Sequence, residues 1–118
     1  MAEQTQLCNY DIFIQQGRDY VLAVTFKDSD GNAIDLTGYT WKAQLFNTHN
    51  NPEAVDFVFD TSDEANGNIT MSLSNTVTAG ISASDEFKQY EAIYKDTSNI
   101  VVEFLYGMAT IEQKTVEF

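Results

Sequence analysis

The segment Lys27–Phe46, KDSDGNAIDLTGYTWKAQLF, contains the signals that decide the fold. Its first part crowds polar residues around Gly31, and from Tyr39 onward apolar and polar side chains alternate. A period of two is typical of a β-strand with one buried face. Asp and Gly between alternating runs favour a tight turn in which Asp side chains bind their own backbone. The segment therefore predicts a hairpin turn, followed by a strand that places Trp41 and Leu45 in the core.

Within this segment, DLTGY at positions 35–39 is expected to turn the chain into that strand. Leu36 is expected to be buried, and Gly38 to supply a backbone conformation that other residues avoid. The hydroxyl of Thr37 is expected to bind the local backbone. None of these residues is expected to take part in chemistry.

The same alternation recurs along the chain in runs 10–14, 20–26, 55–59, 69–73, 90–94, 100–106 and 108–116. Asn66 and Gly67 both tolerate positive φ, which predicts a hairpin turn between two of these runs. Val77 and Ile81 lie four residues apart, and this spacing predicts a single helical turn near residues 75–81, capped by Ser74 or Asn75. The residues expected in the core are Tyr20, Leu22, Val24, Trp41, Leu45, Phe57, Ile69, Leu73 and Tyr90.

Together these signals predict an all-β fold. About seven or eight short strands with frequent turn signals are typical of an antiparallel two-sheet β-sandwich of immunoglobulin-like size. The spacing contains no βαβ units, and the single cysteine rules out the Cys-Trp-Cys framework of antibody domains. We expect an N-terminal arm over residues 1–9 and one sandwich domain over residues 10–118.

The charge of the chain excludes some classes of partner. Eighteen acidic residues against six basic ones give a net charge of −12, and the basic residues are scattered singly. Phosphate backbones require clustered Lys and Arg, so nucleic acid is not an expected partner. No apolar run is long enough to span a membrane, and the first residues do not form a signal peptide. The acidic surface either serves solubility or matches a basic partner or bound cations.

The polar cluster near Gly31 was tested as a calcium loop. An EF-hand loop needs oxygen ligands at alternating positions and a Glu at position twelve. Counted from Asp28, position twelve is Tyr39 and the glycine falls at position four instead of six. We therefore expect no metal site, and the alternative is a looser calcium site formed by Asp28, Asp30, Asn32 and Asp35.

Catalytic constellations are also missing from the sequence. His49 is the only histidine, and it lies in a polar, Asn-rich loop. Cys8 has no basic neighbour that would activate its thiol. The chain has no glycine-rich phosphate loop and no CxxC or HExxH motif. We expect no catalytic residues, no cofactor and no enzymatic activity.

Some apolar side chains fall on the outward faces of the predicted strands. These are Phe13, Phe46 and Val58. Several exposed apolar residues on one sheet would mark an interface. Contacts are also expected at both chain ends and in the loop from Asn47 to Glu53, so His49 and Phe118 join the candidate interface residues.

Four segments carry a resemblance to a known family: GRDYVLAVTF at 17–26, DGNAIDLTGY at 30–39, NGNITMSL at 66–73 and TVTA at 76–79. They resemble the β-sandwich module of tailed-bacteriophage virion proteins. That module occurs at the N-terminus of upper baseplate proteins and in small tail, baseplate or fibre-attachment proteins. The most specific piece is DLTGY, and the resemblance covers residues 10 to 111.

The resemblance implies a structural protein of the virion, assembled in the host bacterial cytoplasm. Its partners would be other virion proteins and further copies of itself in a symmetric assembly. Similar sandwiches decorate capsids, so a capsid decoration protein is one alternative. A carbohydrate-binding sandwich, with Trp41, Tyr90 or Tyr94 as a stacking platform, is the alternative of a different class.

Overall fold

The computed structural model describes residues 8–47, 54–81 and 88–114. Nearly all regular structure in these residues is β-strand. The elements are β1 (Cys8–Asn9), β2 (Ile12–Gln15), β3 (Tyr20–Thr25), β4 (Thr40–Asn47), β5 (Val55–Asp56), β6 (Val58–Asp60), a 3-10 helix (Glu64–Asn66), β7 (Asn68–Leu73), α1 (Asn75–Ala79), β8 (Lys88–Lys95) and β9 (Val101–Glu112).

The strands form two sheets, as expected from their alternation. The larger sheet has the order β1-β9-β8-β4-β5, with β2 also pairing β9, and the smaller sheet has the order β3-β7-β6. The neighbours β4, β8 and β9 correspond to strands C, F and G of an immunoglobulin domain, and β3, β7 and β6 correspond to B, E and D. The protein is an immunoglobulin-like β-sandwich.

The first strands depart from the antiparallel pattern and from the expected domain boundary. Both β1 and β2 pair parallel to β9, whereas the other strand pairs are antiparallel. Cys8 pairs with Leu105, so the sheet begins inside the segment that was expected to be an arm. The expected arm over residues 1–9 therefore includes two residues of the sheet, Cys8 and Asn9. The remainder of that segment lies outside the described residues.

The last strand also differs from expectation. Alternation predicts two strands that meet at Gly107, but β9 is continuous from Val101 to Glu112. The irregularity lies earlier, where Ala92 pairs with Leu105 and Ile93 pairs with Glu103. This shift leaves Phe104 without an opposite residue and lets both Phe104 and Leu105 be buried. A bulge of this kind changes the phase of the alternation, which a strict period of two cannot represent.

The expected core is confirmed. Leu45, Phe57, Ile69, Leu73 and Tyr90 are buried, and the remaining expected residues are partly buried and packed against them. These partly buried residues are Tyr20, Leu22, Val24 and Trp41.

An aromatic cluster fills one end of the core and joins the two sheets. The ring of Trp41 lies 5.5 Å from that of Phe26, 5.6 Å from that of Phe104 and 5.9 Å from that of Phe59, measured between centroids. Phe59 belongs to the smaller sheet and Trp41 to the larger one. Trp41 therefore packs as a core residue, in the position that immunoglobulin domains give to the Trp of strand C.

The turn at Asp28 forms as predicted. Asp28 Oδ1 accepts the backbone N–H groups of Asp30 and Asn32, each at 2.9 Å. Lys27 and Ala33 face each other in an isolated bridge that closes the turn. The polar side chain of Asp28 therefore stabilises the turn by binding its own backbone.

The DLTGY segment has the expected burial and backbone. Leu36 is buried, and Gly38 has a φ of +91°. Asp35 rather than Thr37 binds the local backbone, because Asp35 Oδ1 accepts both the N–H and the hydroxyl of Thr37, at 3.0 and 2.6 Å. These bonds hold the pKa of Asp35 below its usual value.

The Asn66-Gly67 prediction is wrong in its geometry. The connection between β6 and β7 contains a 3-10 helix over Glu64–Asn66, and Gly67 ends it with a φ of +79°. Asn66 does not have positive φ. Its side chain and that of Asn68 instead donate to the carboxylate of Asp63, which lowers the pKa of that group.

The single helical turn is confirmed as α1. Ser74 is its N-cap, and Ser74 Oγ accepts the N–H of Val77 at 3.3 Å. The carboxylate of Asp19 accepts both the backbone and the side-chain N–H of Asn75, which fixes the helix to the start of β3.

Candidate protein-interaction surface

The outer face of the larger sheet presents a row of apolar side chains, which we call the apolar row. Phe46 lies opposite Gln89 on β8, and Gln89 lies opposite Met108 on β9. Thr110 follows on the same face of β9, beside Phe13 of β2. Phe13 is 61% exposed and Met108 is 38% exposed. Phe46, Met108 and Phe13 therefore lie on one face of β4, β9 and β2, with Gln89 and Thr110 between them.

The order of the strands places two of the predicted interface residues on one face of the larger sheet. Phe13 and Phe46 are far apart in sequence, yet both belong to the outer face of the larger sheet because β9 and β8 connect their strands. Phe13 is exposed, as its outward position predicts, and Phe46 is half-buried. The apolar row is thus a property of the tertiary structure, whereas the outward direction of each side chain follows from alternation.

A groove of about 450 Å³ lies beside the apolar row. Phe46, Tyr106 and Met108 provide its apolar walls. Its floor includes Gly107, where a Cβ atom would lie 2.6 Å from the carbonyl oxygen of Tyr10. Glycine at this position therefore lets the two backbones approach closely.

Three carboxylates line the same groove: Asp11, Glu91 and Glu103. Asp11 Oδ1 accepts the N–H of Met108 at 3.0 Å, which fixes that carboxylate at the groove edge. Burial and the neighbouring Glu91 carboxylate raise the pKa of Glu103. A cationic side chain would relieve this repulsion. The groove therefore combines carboxylates that favour a nearby positive charge with the apolar side chains of Phe46 and Met108.

Val58 lies on a different surface from the other predicted interface residues. It is 66% exposed on the outer face of the smaller sheet, where it lies opposite Ser72. On the other side of Ser72 lies Val21, which is 63% exposed. The structure therefore does not bring Val58 together with Phe13 and Phe46, and the sandwich has an apolar area on each outer face.

The other predicted site residues do not add to these surfaces. His49 and Phe118 lie outside the described residues. In the described ranges 8–47, 54–81 and 88–114, no group of three or more His, Cys, Asp or Glu side chains is placed to hold a metal ion. The carboxylates of Asp28 and Asp35 are hydrogen-bonded to neighbouring backbone N–H groups in their own turns. Within those same ranges, no helix is long and apolar enough to cross a membrane.

Sequence reasoning missed Tyr106, Met108, Glu91 and Glu103 as parts of the surface. Glu91 lies opposite Tyr106, and Ile93 lies opposite Glu103, only because the bulge at Phe104 shifts the register between β8 and β9. Alternation within Tyr90–Tyr94 places Glu91 outward, but it gives no information about the residue beside it. The missing signal is the pairing between strands, which the sequence of one strand does not contain.

Comparison with known proteins adds no argument about the fold or the function. No family model and no curated protein matches the sequence. Among solved structures, the chain is similar to murine CRIg, with 10% sequence identity and a TM-score of 0.38 over 89% of this chain and 92% of that chain. A likeness at this level carries no information about function, and the immunoglobulin-like class rests on the strand order described above.

Proposed function

We propose that this protein is a structural subunit of a bacteriophage virion that acts through protein–protein contacts. Within the particle, we assign it to the tail, baseplate or fibre-attachment region, as an adaptor between other virion proteins. The observation that carries the proposal is the apolar row beside the acidic groove on the outer face of the larger sheet. The resemblance of the DLTGY segment and its flanking motifs to tailed-phage sandwich modules supports assigning this interaction role to a virion.

The physical argument starts from the cost of exposed apolar area. Single exposed apolar residues are ordinary. When a partner covers several of them on one sheet face, binding becomes more favourable by about 25 cal/mol for each Å² of apolar area removed from water. The net charge of −12 opposes close packing of identical copies on this face. A partner with basic residues avoids that repulsion and matches the carboxylates of Glu91 and Glu103.

A carbohydrate-binding role has less support, because its aromatic platform is occupied by core packing. Tyr90 and Tyr94 are buried, and the hydroxyl of Tyr90 donates to the carbonyl oxygen of Tyr10. Trp41 is enclosed by the aromatic cluster. A capsid decoration protein would use the same surfaces, so it differs from the proposed role only in its location on the particle.

The test is genetic and structural. Deleting the gene is expected to give particles that lack a defined density in electron micrographs, and complementation with the wild-type gene restores it. Intact particles with no missing density would overturn the proposal. Density lost from the capsid instead of the tail would favour decoration.

Variants of surface residues test whether the apolar row is the contact surface in the particle. Phe13→Glu and Met108→Glu should each reduce incorporation at least about tenfold, because each puts a charge into a contact that excludes water. Val77→Glu is the matched control, since Val77 is also an exposed apolar residue, at 40% exposure, but lies on α1. Circular dichroism must show the same fold for all three variants. Normal incorporation of the Phe13 and Met108 variants would remove this face from the interface.

A further inference from the structure

The free edge of β3 is the longest uninterrupted strand edge in the described part of the chain. The smaller sheet ends at β3 on one side, and among the described strands β3 pairs only with β7. The opposite edge, β6, is three residues long and ends in Asp60. In the larger sheet, β5 is two residues long, and β1 and β2 are interrupted between Asn9 and Ile12. Only β3 therefore offers an extended row of backbone groups.

The direction of these backbone groups follows from one hydrogen bond. The N–H of Phe26 donates to the carbonyl oxygen of Gly67 at 2.8 Å, in the same register that pairs Val24 with Ile69 and Leu22 with Met71. In an antiparallel pair, every second residue is bonded to the neighbouring strand, and the residues between them point their N–H and C=O groups away. Val21, Ala23 and Thr25 therefore direct their backbone groups to the free edge, and Lys27 continues the row.

This edge lacks the features by which sandwiches protect their edges. Natural edge strands carry a charge, a proline or a bulge that prevents another strand from pairing. The sequence of β3 is YVLAVT, which has none of these and consists mainly of β-branched and aromatic residues. The side chains of Val21, Ala23 and Thr25 are all exposed on the outer face. The edge is therefore open to a further strand.

We infer that β3 pairs antiparallel with β3 of a second copy of this chain, across a two-fold axis at Ala23, so that the two smaller sheets become one continuous six-stranded sheet. In this register, Ala23 faces its own copy, and Val21 faces Thr25. Each such pair exchanges N–H···O=C bonds in both directions. Val21 and Thr25 are both β-branched and suit the pleated surface of a sheet.

Charge complementarity supports a second copy of this chain as the partner of β3, in this register. Asp19 and Lys27 flank β3 at opposite ends, and the two-fold places Asp19 of one copy opposite Lys27 of the other. Both residues are exposed. Asp19 Oδ1 binds Asn75, and its second carboxylate oxygen points to no hydrogen-bond partner among the described residues. Two opposite-charge pairs would thus flank an uncharged strand, in a molecule whose net charge of −12 otherwise repels its copy.

Pairing through β3 would add a contact between copies to the assembly role proposed above. It uses a different surface from the apolar row, so it rests on that role only for its biological setting. Its test needs the purified full chain and no particle. Sedimentation equilibrium is expected to show a monomer–dimer equilibrium that strengthens as salt screens the long-range repulsion. A protein that stays monomeric at about 1 mM at high salt overturns the inference and leaves the particle experiment unaffected.

Variants at the edge test the surface itself. Ala23→Lys places two like charges at the two-fold axis and should weaken the dimer at least about tenfold. Thr70→Lys is the matched control, because Thr70 lies opposite Ala23 on β7 and is therefore away from the free edge. Lys27→Glu should also weaken the dimer, since it puts a carboxylate opposite Asp19 of the second copy. A dimer that Ala23→Lys leaves intact overturns the inference.

Hydrogen exchange adds a readout at individual residues. The amides of Val21, Ala23 and Thr25 should become protected as the protein concentration rises, whereas those of Leu22 and Val24 are protected at every concentration by β7. A dimer in which the first set stays unprotected uses another surface, and that result also overturns the inference.

Discussion

Gly67 illustrates how much of this fold depends on the surroundings of single residues. It combines a φ of +79° with a close approach to two backbone segments. A Cβ atom there would lie 2.6 Å from the carbonyl oxygen of Phe26 and 3.0 Å from that of Ile34. Glu103 is a second such residue, because burial and the Glu91 carboxylate change its pKa. In both cases the neighbours, and not the residue type alone, set the energetic effect.

Replacing Gly67 with alanine should lower the free energy of unfolding by at least about 2 kcal/mol, from left-handed strain plus backbone collisions that cannot relax. Gly31→Ala is the matched control. Gly31 has a φ of +85° but no atom within 4 Å of the added Cβ, so only the strain of about 1 kcal/mol applies. Urea denaturation of both variants measures the difference. Equal losses would show that the collisions do not matter.

Replacing Glu103 with glutamine should stabilise the protein at neutral pH and have little effect near pH 4. The pKa of Glu103 is raised above 4.5 in the folded state, so the stability that this group contributes is present below 4.5 and is lost as the pH rises through the raised value. Because the group is partly exposed, the gain should be under about 1 kcal/mol. Urea denaturation at both pH values measures it.

The Glu91 carboxylate provides the check on that cause. Once Glu103 is glutamine, replacing Glu91 as well should add less than it does in the wild-type protein, since the repulsion has already been removed. If the two replacements change the free energy of unfolding by strictly additive amounts, burial alone raises the pKa of Glu103.

At the scale of elements, hydrogen bonds join α1 and the residues beside it to the connection between β2 and β3. Thr78 is fully buried, and its hydroxyl donates to the carbonyl oxygen of Arg18 at 2.8 Å. Gln16 Nε2 donates to the carbonyl oxygen of Ile81 at 2.7 Å. Asp19 adds its bonds to the helix start. These bonds fix the connection after β7 to the connection before β3, although the helix is only five residues long.

Thr78→Val should reduce the free energy of unfolding by about 1–3 kcal/mol, because it keeps the shape of the side chain but leaves the Arg18 carbonyl without its donor. Thr76→Val is the control on the exposed side of the same helix, where a change within about 0.5 kcal/mol is expected. Chemical denaturation gives both values. A loss at Thr76 as large as that at Thr78 would point to helix propensity instead of the buried bond.

The turn at Asp28 leads to a prediction about metal. Since Asp28 Oδ1 already accepts two backbone N–H groups, the turn needs no cation to neutralise it. An excess of chelator should leave the melting temperature unchanged. A fall that added calcium reverses would instead support the alternative site formed by Asp28, Asp30, Asn32 and Asp35.

At the scale of the whole molecule, the aromatic cluster around Trp41 connects the two sheets. Phe26 and Phe59 approach it from the side of the smaller sheet, and Tyr94 and Phe104 belong to the larger one. In the described part of the chain, the indole N–H of Trp41 has no hydrogen-bond partner although it is buried. Packing against the neighbouring rings, and not a hydrogen bond, therefore holds the Trp41 side chain.

Trp41→Ala should cost about 3 kcal/mol, at the lower end of the range for buried Trp because the residue is only partly buried. Trp41→Phe should cost clearly less, since it keeps the ring contacts and removes an unpaired N–H group. Thermal and urea denaturation measure both changes. A phenylalanine variant as unstable as the alanine variant would show that the indole N–H has a partner.

Most of the strands, the direction of most side chains and the chemistry of the Asp28 turn could be predicted from the sequence. These features depend on interactions within a few residues: the period of two in Tyr20–Phe26, the Asp28 side chain bound to its own backbone, and the Ser74 cap of α1. Phe13 and Val58 were correctly expected to be exposed for the same reason. Their position on opposite outer faces could not follow from local pattern, because it depends on which strands are neighbours.

Only the tertiary structure decided the pairing. The parallel pairing of β1 and β2 with β9 and the bulge at Phe104 arise from contacts between strands. The 3-10 helix before Gly67 is instead held by local bonds, such as that from the N–H of Gly67 to the carbonyl oxygen of Glu64. The groove beside Phe46 exists because that bulge brings Glu91 beside Tyr106 and places Glu103 on the same face. Strand partners are selected by how well whole faces pack, and that selection cannot be read from any one strand.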